Sequence, residues 1–492
     1  MRNRKLFHLL ALLGEADRAR FSQFLSAEYF NNSGQLVAFW EQWQRRVFPL
    51  AEGEKLSKAE FVAGTNLKIS RFDNYCSQLY LKARQFLALE EFSQNAHLEN
   101  VMLSEAIMKR DRSLEAAEKF VPPMIRDLEQ EAASPEKYLG LLHQKAQWYL
   151  GKIRSRKKLK NWHEEFAEFK RLLNLYAVSK NLQLSCGEVN IAEILHPSPA
   201  EESHKHALDS VWKSAAEATD LLPRAYYLTL ALLKGIEPAE TFARLLDLLK
   251  RERAKLADDV AQDIFQYMLN YSIRQINKGD EVFLRNTHDL YLVLVENGDL
   301  LQDGKLSSPQ FKNIIAVGCR LGRLDWAQSF IATYQSRLLD GHDGMAAQYN
   351  QAVLAFHLGE YGTAIRGFKK VINRVTYDVF YGVDARIYLW KAYFENWSQL
   401  QPDEIDDMFR LYDSFRLYID RNKKISATHK IQYRNLVRLF KQFIELLQVP
   451  EKHTLAGELD AFKAELEAAT DVANKVWFLK KVEEAQRRAA QT

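Results

Sequence analysis

Apolar residues recur three or four positions apart along most of this chain. Near the N-terminus, Leu6, Leu9 and Leu10 follow this spacing, which places side chains on one face of an α-helix. The same spacing, interrupted by turn-forming residues, predicts helices at about 35–47, 57–68, 72–92, 98–117, 122–131, 135–153, 159–180 and 199–219. We expect Pro122-Pro123 to separate two of these helices, and residues 184–198 to form a loop.

Serine residues mark several predicted helix starts. Ser134, Ser198 and Ser308 each precede a proline. Such a pair supplies an N-cap hydroxyl and then a residue with no N–H to leave unpaired. Ser57 and Glu60 have the spacing of a capping box, in which each side chain accepts a hydrogen bond from the other residue's backbone N–H.

A repeat begins at about residue 223. Helical spacing runs into a turn that contains a glycine and resumes after it, and the turn glycines are Gly235, Gly279, Gly322 and Gly359. They lie 44, 43 and 37 residues apart, a period typical of helical-hairpin arrays. Because one hairpin cannot bury its own apolar face, neighbouring hairpins must stack.

The unit around Gly359 is the best defined. Ala352 is a small residue in its first helix, Gly359 and Tyr361 form the turn, and Ala364 and Phe368 follow in its second helix. This unit resembles a tetratricopeptide repeat, in which small residues allow the paired helices to approach closely.

The resemblance is specific over about 309–376, weaker over 223–296 and 382–447, and absent from the first 220 residues. Matching positions in the neighbouring units are Gly322, Leu324, Ala327, Ile331, Leu389, Ala392 and Asn396. The resemblance implies an all-α fold, a helical-hairpin solenoid preceded by an N-terminal helical region. We predict an N-terminal helical domain at 1–95, a long-helix region at 98–220, tetratricopeptide-like repeats at 223–450 and C-terminal capping helices at 451–492.

Composition agrees with a folded, helical chain. Hydrophobic residues make up 47% and charged residues 27% of the 492 residues. Glycine (20 residues) and proline (11 residues) are scarce compared with their average shares of ~7% and ~5% in proteins. The net charge of +4 is nearly balanced for this length, so bulk charge does not indicate nucleic acid or membrane. Three widely spaced cysteines form no disulfide or zinc pattern, and we therefore expect a reducing compartment, the cytoplasm.

The basic and apolar N-terminus imitates a signal peptide. Arg2 and Arg4 precede the apolar run, but charged Glu15 and Asp17 follow where a cleavage site with small residues would lie. We interpret the run as a first amphipathic helix. No apolar run approaches the ~18 residues of a membrane span.

No set of residues in the sequence forms a recognisable catalytic, cofactor or metal site. The segment Gly298 to Lys305 has one residue too many for a phosphate-binding loop, and Leu306 replaces the Ser/Thr that would hold magnesium. His204 and His206 are two positions apart, so a helix would point them to different faces. We expect neither an enzyme nor a bound metal or cofactor.

One basic run could bind anions. Residues 152–160 contain six basic side chains: Lys152, Arg154, Arg156, Lys157, Lys158 and Lys160. Such a run could grip nucleic-acid phosphates, or it could be a solvated connection between two helices.

The tetratricopeptide register implies a second candidate site. In that family the first helix of each pair lines a concave face. Laid on this chain, the register selects Lys312, Arg320, Tyr349, Asn350, Phe356, His357, Arg386, Trp390 and Tyr393. Cationic and aromatic side chains suit a partner segment that carries a carboxylate and an apolar anchor. Alternatively, Trp390 and Phe356 pack between repeats.

Carboxylate-binding members of the family have Lys and Asn at positions that Lys312 and Asn350 match. Ala316, Val383 and Ile387 replace their other polar residues, so the full clamp is absent. The resemblance implies a non-enzymatic scaffold or adaptor that binds a protein or peptide partner through the concave face. The alternative is a nucleic-acid-binding regulator that uses residues 152–160.

Overall fold

The computed structural model describes residues 5–50, 54, 56–111, 113–155, 161–195, 219–301, 304–339, 343–374, 379–448 and 452–489. Over these residues the chain forms α-helices, short 3-10 turns and isolated bridge residues, among them the pair Leu306 and Leu338, without a β-strand. The predicted all-α class is therefore confirmed. The chain divides into two compact units, Met1–Tyr176 and Ala177–Thr492.

Eight of the described helices lie within the first unit. They are α1 (Lys5–Ala11), α2 (Glu15–Ser26), α3 (Gly34–Arg46), α4 (Lys58–Val62), α5 (Phe72–Gln94), α6 (Ala96–Arg110), α7 (Glu115–Gln130) and α8 (Pro135–Arg154). Helices α2 to α5 bury a group of large aromatic rings: Phe21, Phe39, Trp40, Trp43, Phe61 and Phe72. Helix α9 (Trp162–Leu195) begins in the first unit and ends in the second.

Helix caps follow the sequence signals in part. The Ser57 backbone N–H donates to Glu60 Oε2 (2.8 Å) and the Glu60 N–H donates to Ser57 Oγ (3.2 Å), as the capping box predicts. Ser134 Oγ accepts from the Lys137 N–H at 3.0 Å. The third predicted cap is displaced by one residue, because Ser307 caps the helix that begins at Ser308. Ser198 lies outside the described residues.

The prediction of a helix break at Pro122-Pro123 is wrong. Both prolines lie inside α7, and the break lies earlier, where Leu114 has a φ of +67°. The Asp111 carboxylate accepts a hydrogen bond from the Ala117 N–H at 2.9 Å, which stabilises the start of α7 there. The chain stays helical past the prolines because buried residues continue at helical spacing on both sides of them. These residues are Ala117, Val121, Ile125 and Leu128.

The predicted loop at 184–198 is also wrong over its described part. Helix α9 continues to Leu195, with Leu182, Cys186 and Asn190 buried at four-residue intervals. Asn190 Oδ1 accepts a hydrogen bond from Asn270 Nδ2 at 3.2 Å, so the polar residue on this buried face has a partner. Of the helix predicted at 199–219, residues 199–218 lie outside the described residues.

The remaining thirteen described helices belong to the second unit. They are α10 (Leu221–Leu233), α11 (Pro238–Glu252), α12 (Asp258–Asn277), α13 (Glu281–Asn297), α14 (Ser308–Arg320), α15 (Leu324–Tyr334), α16 (Asp343–His357), α17 (Tyr361–Arg374), α18 (Val379–Glu395), α19 (Pro402–Arg421), α20 (Ala427–Leu447), α21 (Lys452–Ala468) and α22 (Lys475–Ala489). Consecutive helices pack together, except that α11 packs against α13 rather than α12. Helices α10 and α12, α14 and α16, and α16 and α18 also pack together.

The four predicted glycine turns share one conformation. Gly235, Gly279, Gly322 and Gly359 all have positive φ, at 70°, 95°, 71° and 81°. The residue after each glycine donates its N–H to a carbonyl five positions earlier, for example Glu360 to Ala355 at 2.9 Å. This is the Schellman arrangement, which ends a helix and lets the chain reverse. The turns join α10 to α11, α12 to α13, α14 to α15 and α16 to α17.

Helices α16 and α17 approach closely at Gly367. A Cβ on Gly367 would lie 2.7 Å from the Cβ of Ala352. We therefore expect Gly367→Ala to lower the free energy of unfolding by about 1–3 kcal/mol, as overpacking does, despite alanine's better helix propensity. Equilibrium urea unfolding would measure the change.

Gly362→Ala provides a control on the same helix, because the nearest atom to its added Cβ is Arg366 Nη1 at 3.7 Å. That variant should be as stable as the original chain or slightly more so. Equal effects at both glycines would contradict the close approach at Gly367.

Candidate functional site

The nine residues that the repeat register selects all lie on three helices that pack in sequence order. Lys312 and Arg320 are on α14, four residues are on α16, and Arg386, Trp390 and Tyr393 are on α18. Their exposure divides them into two groups. Tyr349, Asn350, Trp390, Tyr393 and Arg386 are buried, whereas Lys312, Arg320, Phe356 and His357 keep part of their surface exposed.

The buried group serves helix packing. Trp390 stacks on Phe440 with ring centroids 5.0 Å apart and meets the Phe415 ring edge-on at 5.5 Å. Tyr349 lies between the rings of Phe368 and Tyr381, at 6.0 and 4.9 Å. These side chains cannot contact a partner while the helices around them stay in place. The role of the whole set in partner binding remains a prediction.

Two of the cationic residues already have partners. Lys312 Nζ lies 2.6 Å from the Asp384 carboxylate, on the neighbouring helix α18. The Arg386 guanidinium stacks on the Tyr418 ring at 3.9 Å and donates to the Gly382 carbonyl at 2.9 Å. Gly382 makes room for this arrangement, because a Cβ there would lie 2.3 Å from the Tyr418 hydroxyl.

A third cation, Lys391, was missed by the repeat register. It lies one turn before the end of α18 and is 8% exposed. Its Nζ donates to Asn474 Oδ1 at 2.7 Å and lies over the rings of Tyr388 (5.2 Å) and Trp477 (4.9 Å). A sequence signal exists, since Lys391 is the single charge between Tyr388 and Phe394 in an otherwise apolar run.

Burial, together with the positive charge of the nearby Arg320 guanidinium, lowers the pKa of Lys391 to about 7. The carboxylates of Asp384 and Glu395 act in the opposite direction. The ammonium form is therefore disfavoured at this position, because too little negative charge lies near it.

His357 ends α16 next to this lysine. Its ring lies 6.3 Å from the Tyr388 ring and 5.4 Å from the Phe356 ring. The Nε2 atom is buried and has no hydrogen-bond partner among the described residues. Burial, together with the positive charges of Lys391 and Arg320, lowers the pKa of His357 to about 4. The imidazole is therefore neutral near pH 7.

We call Arg320, His357 and Lys391 the cation cluster. The two carboxylates that act on it already bind other lysines, Asp384 with Lys312 at 2.6 Å and Glu395 with Lys481 at 2.7 Å. Within the described part of the chain, neither Arg320 nor Lys391 forms an ion pair. Arg320, and Lys391 whenever it is protonated, therefore carry positive charge that no described residue neutralises.

The start of α22 lies against this part of the second unit. Asn474, with a φ of +56°, supplies the oxygen that Lys391 bonds. The Trp477 ring lies 6.0 Å from Phe394 and 6.2 Å from Phe440. Nearby, a Cβ on Gly279 would lie 3.2 Å from Val476 Cγ2, so this segment also reaches the turn between α12 and α13.

Comparisons with protein-family models, curated proteins and solved structures find no match to this chain. The tetratricopeptide resemblance therefore stays an interpretation of the sequence. Within the described ranges, no helix has the length and apolarity to cross a membrane, and no three His, Cys, Asp or Glu side chains are grouped as metal ligands.

The basic run 152–160 is described only at its beginning. Lys152 places its ammonium 5.0 Å from the Trp148 ring, and Arg154 ends α8 with an exposed side chain. Arg156, Lys157, Lys158 and Lys160 lie outside the described residues, as do His204 and His206. Nucleic-acid binding by this run stays a prediction.

Proposed function

We propose that this protein is a non-enzymatic scaffold or adaptor of the cytoplasm. Its second unit would be a tetratricopeptide-like array that binds a partner protein along the first helices α14, α16 and α18. The packing of these three helices in sequence order supports this reading. So do the recurring glycine turns, which give successive hairpins the same reversal.

The observation that carries the proposal is Arg320, which is exposed, has no ion-pair partner among the described residues and lies near partly exposed aromatic residues. Arg320 is the last residue of α14. Phe356 lies on α16 and Tyr388 on α18, and the centroids of these two rings are 5.4 Å apart. An arginine without an acidic partner can fork onto a carboxylate, and aromatic rings add apolar contact area. This surface suits a partner segment that is acidic and carries an apolar side chain.

Affinity capture of the full chain from the cells that express it, followed by mass spectrometry, tests the proposal. We expect Arg320→Ala combined with Phe356→Ala to lose a protein that the original chain recovers. Arg366→Ala is the matched control, because Arg366 is exposed on α17, the second helix of the same hairpin as Phe356. That variant should recover the partner undiminished.

Two results would contradict this function. The same partner could be recovered equally well by the double variant, which would place binding elsewhere on the chain. Alternatively, nuclease treatment could remove the captured material, which would favour a nucleic-acid-binding regulator instead.

A further inference from the structure

One member of the cation cluster, Lys391, places an ammonium group at a buried position whenever it is protonated. Lys391 is 8% exposed, and its one hydrogen-bond acceptor in the described part of the chain is the neutral side-chain oxygen of Asn474. Buried charges in proteins are normally paired, because an unpaired ion loses its hydration without compensation. The carboxylates of Asp384 and Glu395, which act on Lys391, are already paired with Lys312 and Lys481.

We infer that Arg320, His357 and Lys391 form a binding site for a carboxylate of a partner protein, in which the carboxylate takes the place of Asn474 Oδ1 on Lys391. This inference rests on the proposed function, since it names the chemistry of the partner. The carboxylate would approach past exposed Arg320. His357 Nε2 could then donate to it, because a neutral imidazole can carry its proton on that nitrogen.

Helix dipoles do not account for the whole cluster. Arg320 and His357 are the last residues of α14 and α16, where a cation interacts favourably with the partial negative charge of a helix C-terminus. Lys391 instead lies one turn before the end of α18, and its ammonium binds Asn474 rather than a free carbonyl of that helix. A local helix-end role therefore leaves the buried lysine unexplained.

Asn474 behaves as a neutral substitute for the expected anion. An amide oxygen accepts the hydrogen bond from Lys391 but brings no charge, so the ion stays uncompensated. Its backbone conformation, with φ at +56°, is one that Asn and Asp tolerate better than most residues. Asn474→Asp therefore offers a nearly isosteric way to place a carboxylate inside the site.

The site also predicts how binding depends on pH. Lys391 contacts Tyr388 on its own helix and Asn474 and Trp477 at the start of α22. The charged or titratable groups that act on it electrostatically are Arg320, His357, Asp384 and Glu395. A carboxylate binds the ammonium form of Lys391, so binding should tighten as pH falls toward about 7, the pKa of Lys391 in the unbound chain. Lys391→Met should remove this dependence.

The test uses the full chain and two acetylated, amidated tetrapeptides, one of four glutamates and one of four glutamines, measured by isothermal titration calorimetry. We expect the glutamate peptide to bind and the glutamine peptide not to bind. Arg320→Gln and Asn474→Asp should each weaken glutamate-peptide binding at least tenfold, whereas Arg366→Gln should leave it unchanged. Asn474→Asp should also fold at least as stably as the original chain at pH 7, because its carboxylate pairs with Lys391.

Equal binding of the glutamate peptide to all variants would overturn the assignment. So would binding of inorganic phosphate without binding of the glutamate peptide, which would make the ligand a phosphate. Failure of the proposed function looks different. In that case the double variant Arg320→Ala with Phe356→Ala still recovers the partner, irrespective of whether the glutamate peptide binds. If the double variant lost its partner but the chain did not distinguish the glutamate from the glutamine peptide, only the carboxylate site would be overturned.

Discussion

Phe478→Ala is expected to lower the free energy of unfolding of the second unit by about 3–5 kcal/mol, the usual cost of removing a fully buried aromatic ring. Phe478 is completely buried. Its ring centroid lies 5.9 Å from that of Phe440, 5.5 Å from Phe443 and 5.8 Å from Phe462. These rings belong to α20 and α21, so the substitution removes contacts that hold α22 to both helices. Hydrogen exchange of the backbone amides in α20 to α22 would measure the loss locally.

Val476→Ala is the matched comparison for this loss. Val476 lies two residues earlier on the same helix and is 55% exposed. Its truncation should change the free energy of unfolding by less than about 0.5 kcal/mol. If both variants exchanged at the same rate, α22 would not be held by the ring cluster.

The second large effect concerns pH. Lys391 has a pKa of about 7 in the folded chain and a reference value of 10.5. Between these two values the unfolded chain holds a proton that the folded chain lacks, so the free energy of unfolding rises with pH through this window. The limiting slope for one such group is about 1.4 kcal/mol per pH unit. Below about pH 7 both states are protonated, and the penalty for the buried charge is then constant and complete.

Lys391→Met removes this titration while keeping a side chain of similar length. We expect the variant to be more stable than the original chain at pH 7, with an advantage that shrinks as pH rises toward 10. Urea unfolding at a series of pH values would measure the difference between the two chains, in which contributions from the other titrating groups cancel.

Lys370→Met supplies the comparison, because Lys370 is exposed on α17. Its stability should follow that of the original chain at every pH. A Lys391→Met variant whose difference from the original chain did not change with pH would show that Lys391 titrates as an ordinary exposed lysine.

Local signals in the sequence predicted the features that local energetics decide. The turns at Gly322 and Gly359 were predictable because positive φ strongly favours glycine, whatever surrounds the turn. The Ser57 capping box was predictable for the same reason, since both of its partners lie within four residues. Pro122 and Pro123 show the limit of this reasoning. The buried stripe of α7 keeps the chain helical where local preference alone indicates a break.

The candidate site was only partly predictable because burial depends on residues far away in sequence. Helical register placed Trp390 on α18, but Phe415 and Phe440, on later helices, are what cover it. Lys391 bonds Asn474, which lies 83 residues further along the chain. Nothing in the spacing of residues near Lys391 could indicate that partner. An isolated charge in an apolar run marked the position, and the tertiary fold determined its environment.

The contacts of residues 474–478 also set an order of events during synthesis. Helices α14, α16 and α18 precede this segment in the chain, and their packing on one another joins neighbours in sequence. Contacts between neighbours in sequence form early, and the N-terminal part of a chain leaves the ribosome first. Arg320, His357 and Lys391 can therefore come together on a nascent chain while Asn474 is still untranslated. At that stage Lys391 has no Asn474 amide to bond and no Trp477 ring beside it.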